Sequence, residues 1–225
     1  MTQVRINKFL ADAGIASRRG AEQLILQGKV KLNGVEVQDL STKVDIENDE
    51  VMFNDKVIQT EKEKILIMLN KPVGYVSTTR TFKGEKNVLD LVDVPYRVYP
   101  IGRLDKDTSG LLLLTNDGDL ALKLTHPRYE KEKEYEVDVN KEVTDDFLDN
   151  LAQGVQLDDV LTLPCKVKYL DRKAFTIILK QGINRQIRRM CAEFGYDVLG
   201  LHRVRLNNYK LGDLPLGEFK IIKQK

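Results

Sequence analysis

Gly102–Gly110 reads G-R-L-D-K-D-T-S-G and runs directly into Leu111-Leu112-Leu113-Leu114. The four leucines read as a buried strand, and the turn ahead of them carries a carboxylate, Asp105. An acid at that position is costly unless something partners it or uses it. Thr108 and Ser109 are short hydroxyl donors suited to fixing the turn, and Gly110 permits backbone geometry that other residues resist. On spacing alone, an Asp that caps a structural turn fits as well. Asp105, Asp107, Ser109 and Gly110 also match the opening of a calcium-binding loop. Its twelfth position would be Asn116, where a bidentate Glu is needed, and a leucine strand follows in place of a helix. A two-carboxylate glycosidase using Asp105 and Asp107 is a further reading of the same turn.

Working outward from the turn, strands are expected at 65–69, 111–115, 133–139, 161–170 and 174–180, and helices at 118–125, 144–153 and 184–195. Many strands, few helices and no βαβ rhythm predict an α+β domain around a mixed or antiparallel sheet. The N-terminal segment differs. Ile6, Phe9, Leu10 and Ala13 recur at helical spacing, Gly14 ends that helix, and Ser17 caps a second with Ala21, Leu24, Ile25 and Gly28 on its inner face. Val30–Val37 alternates around Asn33-Gly34, a two-residue hairpin signal, and a strand is expected at 49–53. Gln59–Lys64 is charged and lacks apolar residues, so it reads as a linker between domains at 1–60 and 64–225.

The hydrophobic fraction of 42% supports a real core, and the net charge of +2 is uninformative in bulk. Its distribution is not. Residues 1–31 hold six Lys or Arg against two acids, 32–60 two against seven, and 180–210 seven against two. Two separated basic segments suit two contacts with a polyanion. Cys165 and Cys191 form no metal-binding pattern, neither His126 nor His202 sits at ligand spacing from a cysteine, and no phosphate-binding loop is present, so no metal and no cofactor is expected. No apolar run approaches the roughly 20 residues of a membrane span, and no signal region precedes the first helix. A soluble, cytoplasmic protein is expected.

In Asn184–Met190, N-R-Q-I-R-R-M, the residues Ile187, Met190, Cys191 and Phe194 form a buried helical stripe. This makes Cys191 a core residue. Arg188 lies one step from the stripe, placed to enter a pocket, while Arg185 and Arg189 share a face four apart.

The turn G-R-L-D-K-D-T-S-G closely resembles the catalytic motif of RNA pseudouridine synthases, enzymes that detach the base of a uridine, turn it, and rejoin it through C5. The resemblance extends in order through N-K-P-V-G-Y (Asn70–Tyr75), K-E-Y (Lys133–Tyr135) and Q-I-R (Gln186–Arg188). It implies Asp105 as the nucleophile, Tyr135 stacked on the flipped-out base, and Arg188 as the partner of Asp105. It further implies Lys71, Arg103, Arg185 and Arg189 as RNA contacts. R-I-N-K-F-L-A-D-A-G, S-R-R and G-K-V-K-L-N-G-V-E-V resemble the RNA-binding domain first described in ribosomal protein S4, implying phosphate contacts by Arg5, Lys8, Arg18, Arg19 and Lys31. The whole looks like the rRNA-modifying branch that carries this module. The implied target is a uridine of large-subunit (23S) rRNA, with small-subunit rRNA and tRNA as alternatives, and the implied partners include a ribosomal subunit precursor. The implied protein is a monomer that needs no cofactor. A target base must leave its stack to be reached. A non-catalytic RNA-binding assembly factor on the same fold is the second reading.

Overall fold

The computed structural model describes residues 3–61 and 63–222. Its packing divides the chain into two units. One is Met1–Ile65 with Pro95–Arg97 and Asn116–Gly118, and the other is Leu66–Val94, Val98–Thr115 and Asp119–Lys225. Residues 59–61 and 63–65 have no helix or strand, and Lys62 of the expected linker lies outside the described residues.

In the first unit, β1 (Gln3–Arg5) leads into α1 (Ile6–Asp12) and α2 (Arg18–Leu26). The strands β2 (Val30–Leu32), β3 (Val35–Glu36), β4 (Lys43–Asp45), β5 (Val51–Phe53) and β6 (Lys56–Ile58) follow. Ser17 caps α2 by accepting from the Gly20 N–H at 3.1 Å. Asn33 and Gly34 both adopt positive φ, as the tight turn between β2 and β3 requires. Ile6, Phe9 and Leu10 of α1 meet Ala21 and Ile25 of α2 over Val30, Val44 and Val51.

The second unit begins with β7 (Leu66–Lys71), then the short parallel pair β8 (Tyr75–Val76) and β9 (Lys86–Asn87). Next come β10 (Tyr99–Ile101), β11 (Ser109–Thr115), α3 (Gly118–Thr125) and β12 (Lys133–Val139). α4 (Asp145–Gln153), the hairpin β13 (Gln156–Leu157) and β14 (Val160–Leu161), β15 (Lys166–Asp171), β16 (Ala174–Leu179) and α5 (Gln186–Glu193) follow. β17 (Val198–Leu206), β18 (Tyr209–Lys210) and β19 (Phe219–Ile222) complete it. Nine of these strands form one sheet with the order β15-β16-β12-β17-β11-β7-β19, in which β10 also pairs with β11 and β18 with β17. The expected α+β class with a mixed sheet is the observed one. The expected single strand at 161–170 is instead the end of a hairpin and the separate β15.

Every contact in this sheet is antiparallel except one. β11 meets β17 in parallel at Ser109↔His202 and Gly110↔Arg203 only. Its last three residues pair instead with β10, from Leu113↔Ile101 to Thr115↔Tyr99. β7 runs along the whole opposite edge, from Gly110↔Lys71 to Thr115↔Leu66. Leu111–Leu114 are all fully buried, as a central strand covered on both faces requires. The sheet therefore forks just after the turn that carries Asp105.

Gly110 is what lets the two halves meet there. It has φ +103°, and a Cβ on it would lie 2.4 Å from the carbonyl oxygen of Arg203 and 2.5 Å from its nitrogen. Ser109 Oγ reinforces the contact at 2.8 Å from Nδ1 of His202. Strain of this kind costs about 1–3 kcal/mol, and about 1 kcal/mol moves Tm by 2–4 °C in a chain of this size. Gly110→Ala is accordingly expected to lower Tm by at least several degrees in a thermal melt, with an equal Tm contradicting the close approach.

Candidate active site

The fork opens into a cleft of about 820 Å3, within the roughly 300–1,000 Å3 usual for small-ligand sites. Asp105 and Arg103 reach it from the turn, Tyr135 and Lys133 from β12, Arg203 from β17, and Arg185 and Arg188 from the start of α5. The three residues expected to carry the chemistry, Asp105, Tyr135 and Arg188, thus converge from sequence separations of up to 83 residues.

The turn is held from beneath by Lys71. This side chain is fully buried, and its ammonium donates to the carbonyls of Thr108 at 2.7 Å, Pro72 at 3.0 Å and Asp105 at 3.1 Å. All three of its protons are used. Burial lowers its pKa to about 8, against the pull of Asp107 and Asp105. The expectation of Lys71 as an RNA contact is therefore corrected. A fully buried ammonium spent on three main-chain oxygens is an anchor and not a surface cation. From above, Arg188 donates to the carbonyl of Asp107 at 2.8 Å and that of Val198 at 2.8 Å, tying the turn to β17.

Arg188 does not pair with Asp105. Its Nε lies 3.3 Å from Asp107, and Arg185 grips the same carboxylate with both arms at 3.0 and 3.2 Å. Arg185 adopts a left-handed conformation (φ +50°), which the two-armed ion pair helps to offset. Partial burial pushes the Asp107 carboxyl up. The Arg185 hydrogen bond and the charges of Arg188 and Arg185 outweigh this and hold it below the usual carboxylate range. The two acids of the turn have separated roles: Asp107 binds the arginines, and the Asp105 side chain makes no hydrogen bond or ion pair among the described residues. Asp105 is half-buried in the cleft wall.

Tyr135 is buried at the centre of β12, opposite Arg203 in register. Arg103 is exposed on the rim, and Arg189 pairs with Asp158 at 2.6 Å. Cys191 and Met190 are fully buried and Ile187 nearly so, while Phe194 is half-exposed, its ring edge-on to Phe147 at 6.0 Å. Burial pushes the Cys191 thiol up to about 12 and the Cys165 thiol to about 11, which leaves neither as a nucleophile. In the first unit Arg5, Arg18 and Arg19 are exposed, while Lys8 and Lys31 are half-buried beside Asp12 and Asp55. Among the described residues no group of His, Cys, Asp and Glu is arranged to hold a metal ion, and no helix is long and apolar enough to cross a membrane.

Sequence reasoning missed the anchoring role of Asp107, and it missed Lys133 and Arg203. Lys133 is half-buried and donates only to the carbonyls of Lys131 and Gln181, at 3.3 and 3.4 Å. Burial lowers its pKa, helped by the charge of Arg203. Its place in K-E-Y, two residues before Tyr135, was the available signal, since residues two apart on a strand share a face.

Hydrogen bonds to a charged group are worth about 1.5–3 kcal/mol each. Lys71→Met is expected to lose at least about that much in urea unfolding and to release the Asp105 turn to proteolysis or hydrogen exchange. Unchanged protection of residues 105–108 would contradict the anchor.

Residues 65–193 match the RNA pseudouridylate synthase family, and residues 4–51 match the S4 domain. A dual-specificity RNA pseudouridine synthase, RluF, of Escherichia coli is 46% identical over 222 residues, covering 97% of this chain and 75% of that protein. Ribosomal large subunit pseudouridine synthase B of Bacillus subtilis is 43% identical over 95% of this chain and 90% of its own length. A crystal structure of a pseudouridylate synthase superposes with a TM-score of 0.71 at 32% identity, covering 98% of this chain and 96% of that one. The fork, the cleft and the turn of Asp105 belong to a chain of the RNA pseudouridine synthase family, an isomerase that carries an N-terminal S4 domain.

Proposed function

We propose that this protein converts a uridine of ribosomal RNA, in the large subunit, to pseudouridine, with Asp105 as the nucleophile. The observation that carries the assignment is the uncommitted Asp105 carboxylate, facing a cleft whose other charged groups are mostly cations. Asp107 has the same chemistry but is occupied by Arg185 and Arg188. Lys71 and Arg188 hold the turn from two sides, so the attacking oxygen is positioned before substrate arrives. Tyr135 supplies an aromatic face for the extruded base, a stacking interaction worth about 1–3 kcal/mol. The N1–C1′ bond breaks, the ring turns, and C5 closes on C1′ with loss of the C5 proton. Arg103 and Arg185 sit at the rim, where the RNA backbone passes. Arg5, Arg18 and Arg19, with Lys8 and Lys31, contact flanking phosphates from a domain at residues 1–60 that folds separately from the catalytic domain at 64–225. The protein acts as a monomer in the cytoplasm, on ribosomal precursors.

The two relatives support this substrate, one being a large-subunit pseudouridine synthase and the other a dual-specificity RNA pseudouridine synthase. Transcripts of large-subunit rRNA, small-subunit rRNA and tRNA carrying tritium at C5 of uridine discriminate among targets. Tritium release from the large-subunit transcript, about one atom per molecule, is the expected result. Release from none of the three, with RNA still bound, would favour a non-catalytic assembly factor.

A further inference from the structure

Arg203 is the one arginine of α5 and β17 that faces no carboxylate. Arg185 and Arg188 meet Asp107, Arg189 meets Asp158, and Arg205 meets Glu134 at 2.6 Å and Glu132 at 3.1 Å. Arg203 is only 3% exposed, yet its single hydrogen bond among the described residues runs from Nε to the carbonyl of Leu111 at 2.8 Å. Its Nη2 is buried with no partner. A guanidinium this deep, left without an anion, is strongly unfavourable in the empty protein. Lys133, also on the cleft wall, donates only to two carbonyls and likewise lacks a carboxylate partner.

Depth identifies what this charge meets. Backbone phosphates of a polymer stay at the mouth of the cleft, where Arg103, Lys180 and Arg185 are exposed. Only an extruded base reaches the level of Tyr135 and Arg203. Uracil is neutral when it enters. When N1–C1′ breaks, the bonding pair stays with N1, and the ring becomes an anion with its charge spread over O2 and O4. When C5 closes on C1′, the C5 proton passes to water and N1 takes one up, so atoms and electrons balance. If the carboxylate instead adds first at C6, the charge is shared by C5 and O4, so O4 carries it on either route.

We propose that Arg203 is a catalytic residue that holds the pyrimidine anion formed while the base is detached from the sugar. The proposal rests on the Asp105 site described above. It explains why a buried cation is left unmatched: its counter-charge exists only during the reaction, and a preorganised donor is worth most when aimed at charge that develops there.

The test uses the full-length protein, a target RNA and three variants. Removing one preorganised donor typically costs about 10²–10³ in rate. Arg203→Met is expected to slow single-turnover isomerisation by about that factor, with RNA Kd within about threefold of wild type. Arg203→Lys, which keeps the charge without the fork, is expected to recover part of the loss. With 5-fluorouridine at the target position, followed as its disappearance from nucleoside digests, the loss is expected to shrink, because fluorine already stabilises the ring anion. An unchanged rate in folded Arg203→Met overturns the proposal. So does a Kd that weakens in step with the rate, which would mark a phosphate contact, or an equal loss on both bases, which would mark a structural role. If Arg203→Met does not fold, the comparison of the two bases in Arg203→Lys decides on the same terms. Asp105→Asn, run alongside, separates the two assignments. If it stays active the site assignment fails, and if it is inactive while Arg203→Met is unimpaired only the role of Arg203 fails.

Discussion

The ammonium of Lys71 lies within 2.7–3.1 Å of three main-chain oxygens, those of Pro72, Asp105 and Thr108, in a fully buried position. Those oxygens belong to two separate stretches of chain, the exit of β7 and the turn before β11. The bond set therefore closes the turn upon itself and ties it to the strand beside it. Arg188 repeats the operation from the opposite side, through the carbonyls of Asp107 and Val198. A nine-residue turn with two glycines has ample freedom to wander. Here it is clamped between one lysine and one arginine, and the side chain of Asp105 is left standing out of the clamp.

The charges around the cleft divide into those that already have partners and those that do not. Asp107 is ion-paired with Arg185 and Arg188, and Lys71 is satisfied by carbonyls. Asp105 and Arg203 are not matched by the protein. Matched groups give the site its shape, and the unmatched ones are available to the substrate. The fork in the sheet provides the room. β11 spends two residues on β17 before turning to β10, and Gly110 permits the approach from which the two halves diverge.

Much of this was legible in the residues. The leucine run at 111–114, Asn33-Gly34 and Ser17 encode local structure through burial and turn chemistry, and each forms as read; the stripe on α5 forms at Ile187, Met190 and Cys191, but Phe194 lies past the helix end and is exposed. β17, the hub of the catalytic sheet, was not. Its pairing with β12 slips between Glu134 and Tyr135 and again between Asp138 and Val139. Each slip reverses the alternation that marks a strand in sequence. Hiding that strand also hid Arg203. Lys71 and Arg188 failed for a different reason: sequence shows that a side chain is charged but not which oxygen it reaches. Lys71 turned inward to carbonyls, and Arg188 took Asp107, two residues from the partner expected for it. The choice between the two acids of the turn depends on which one the arginines of α5 can span, a property of the folded chain.

Asp105 and Asp107 share a turn and a chemistry and differ only in what holds them, so the most direct measurement compares them. Tritium release from C5-labelled target RNA is followed with Asp105→Asn and with Asp107→Asn, both checked for folding and RNA binding. The account predicts none from the first and a slowed but measurable release from the second, whose loss loosens the turn without removing the attacking oxygen. Release from Asp105→Asn together with silence from Asp107→Asn would contradict it.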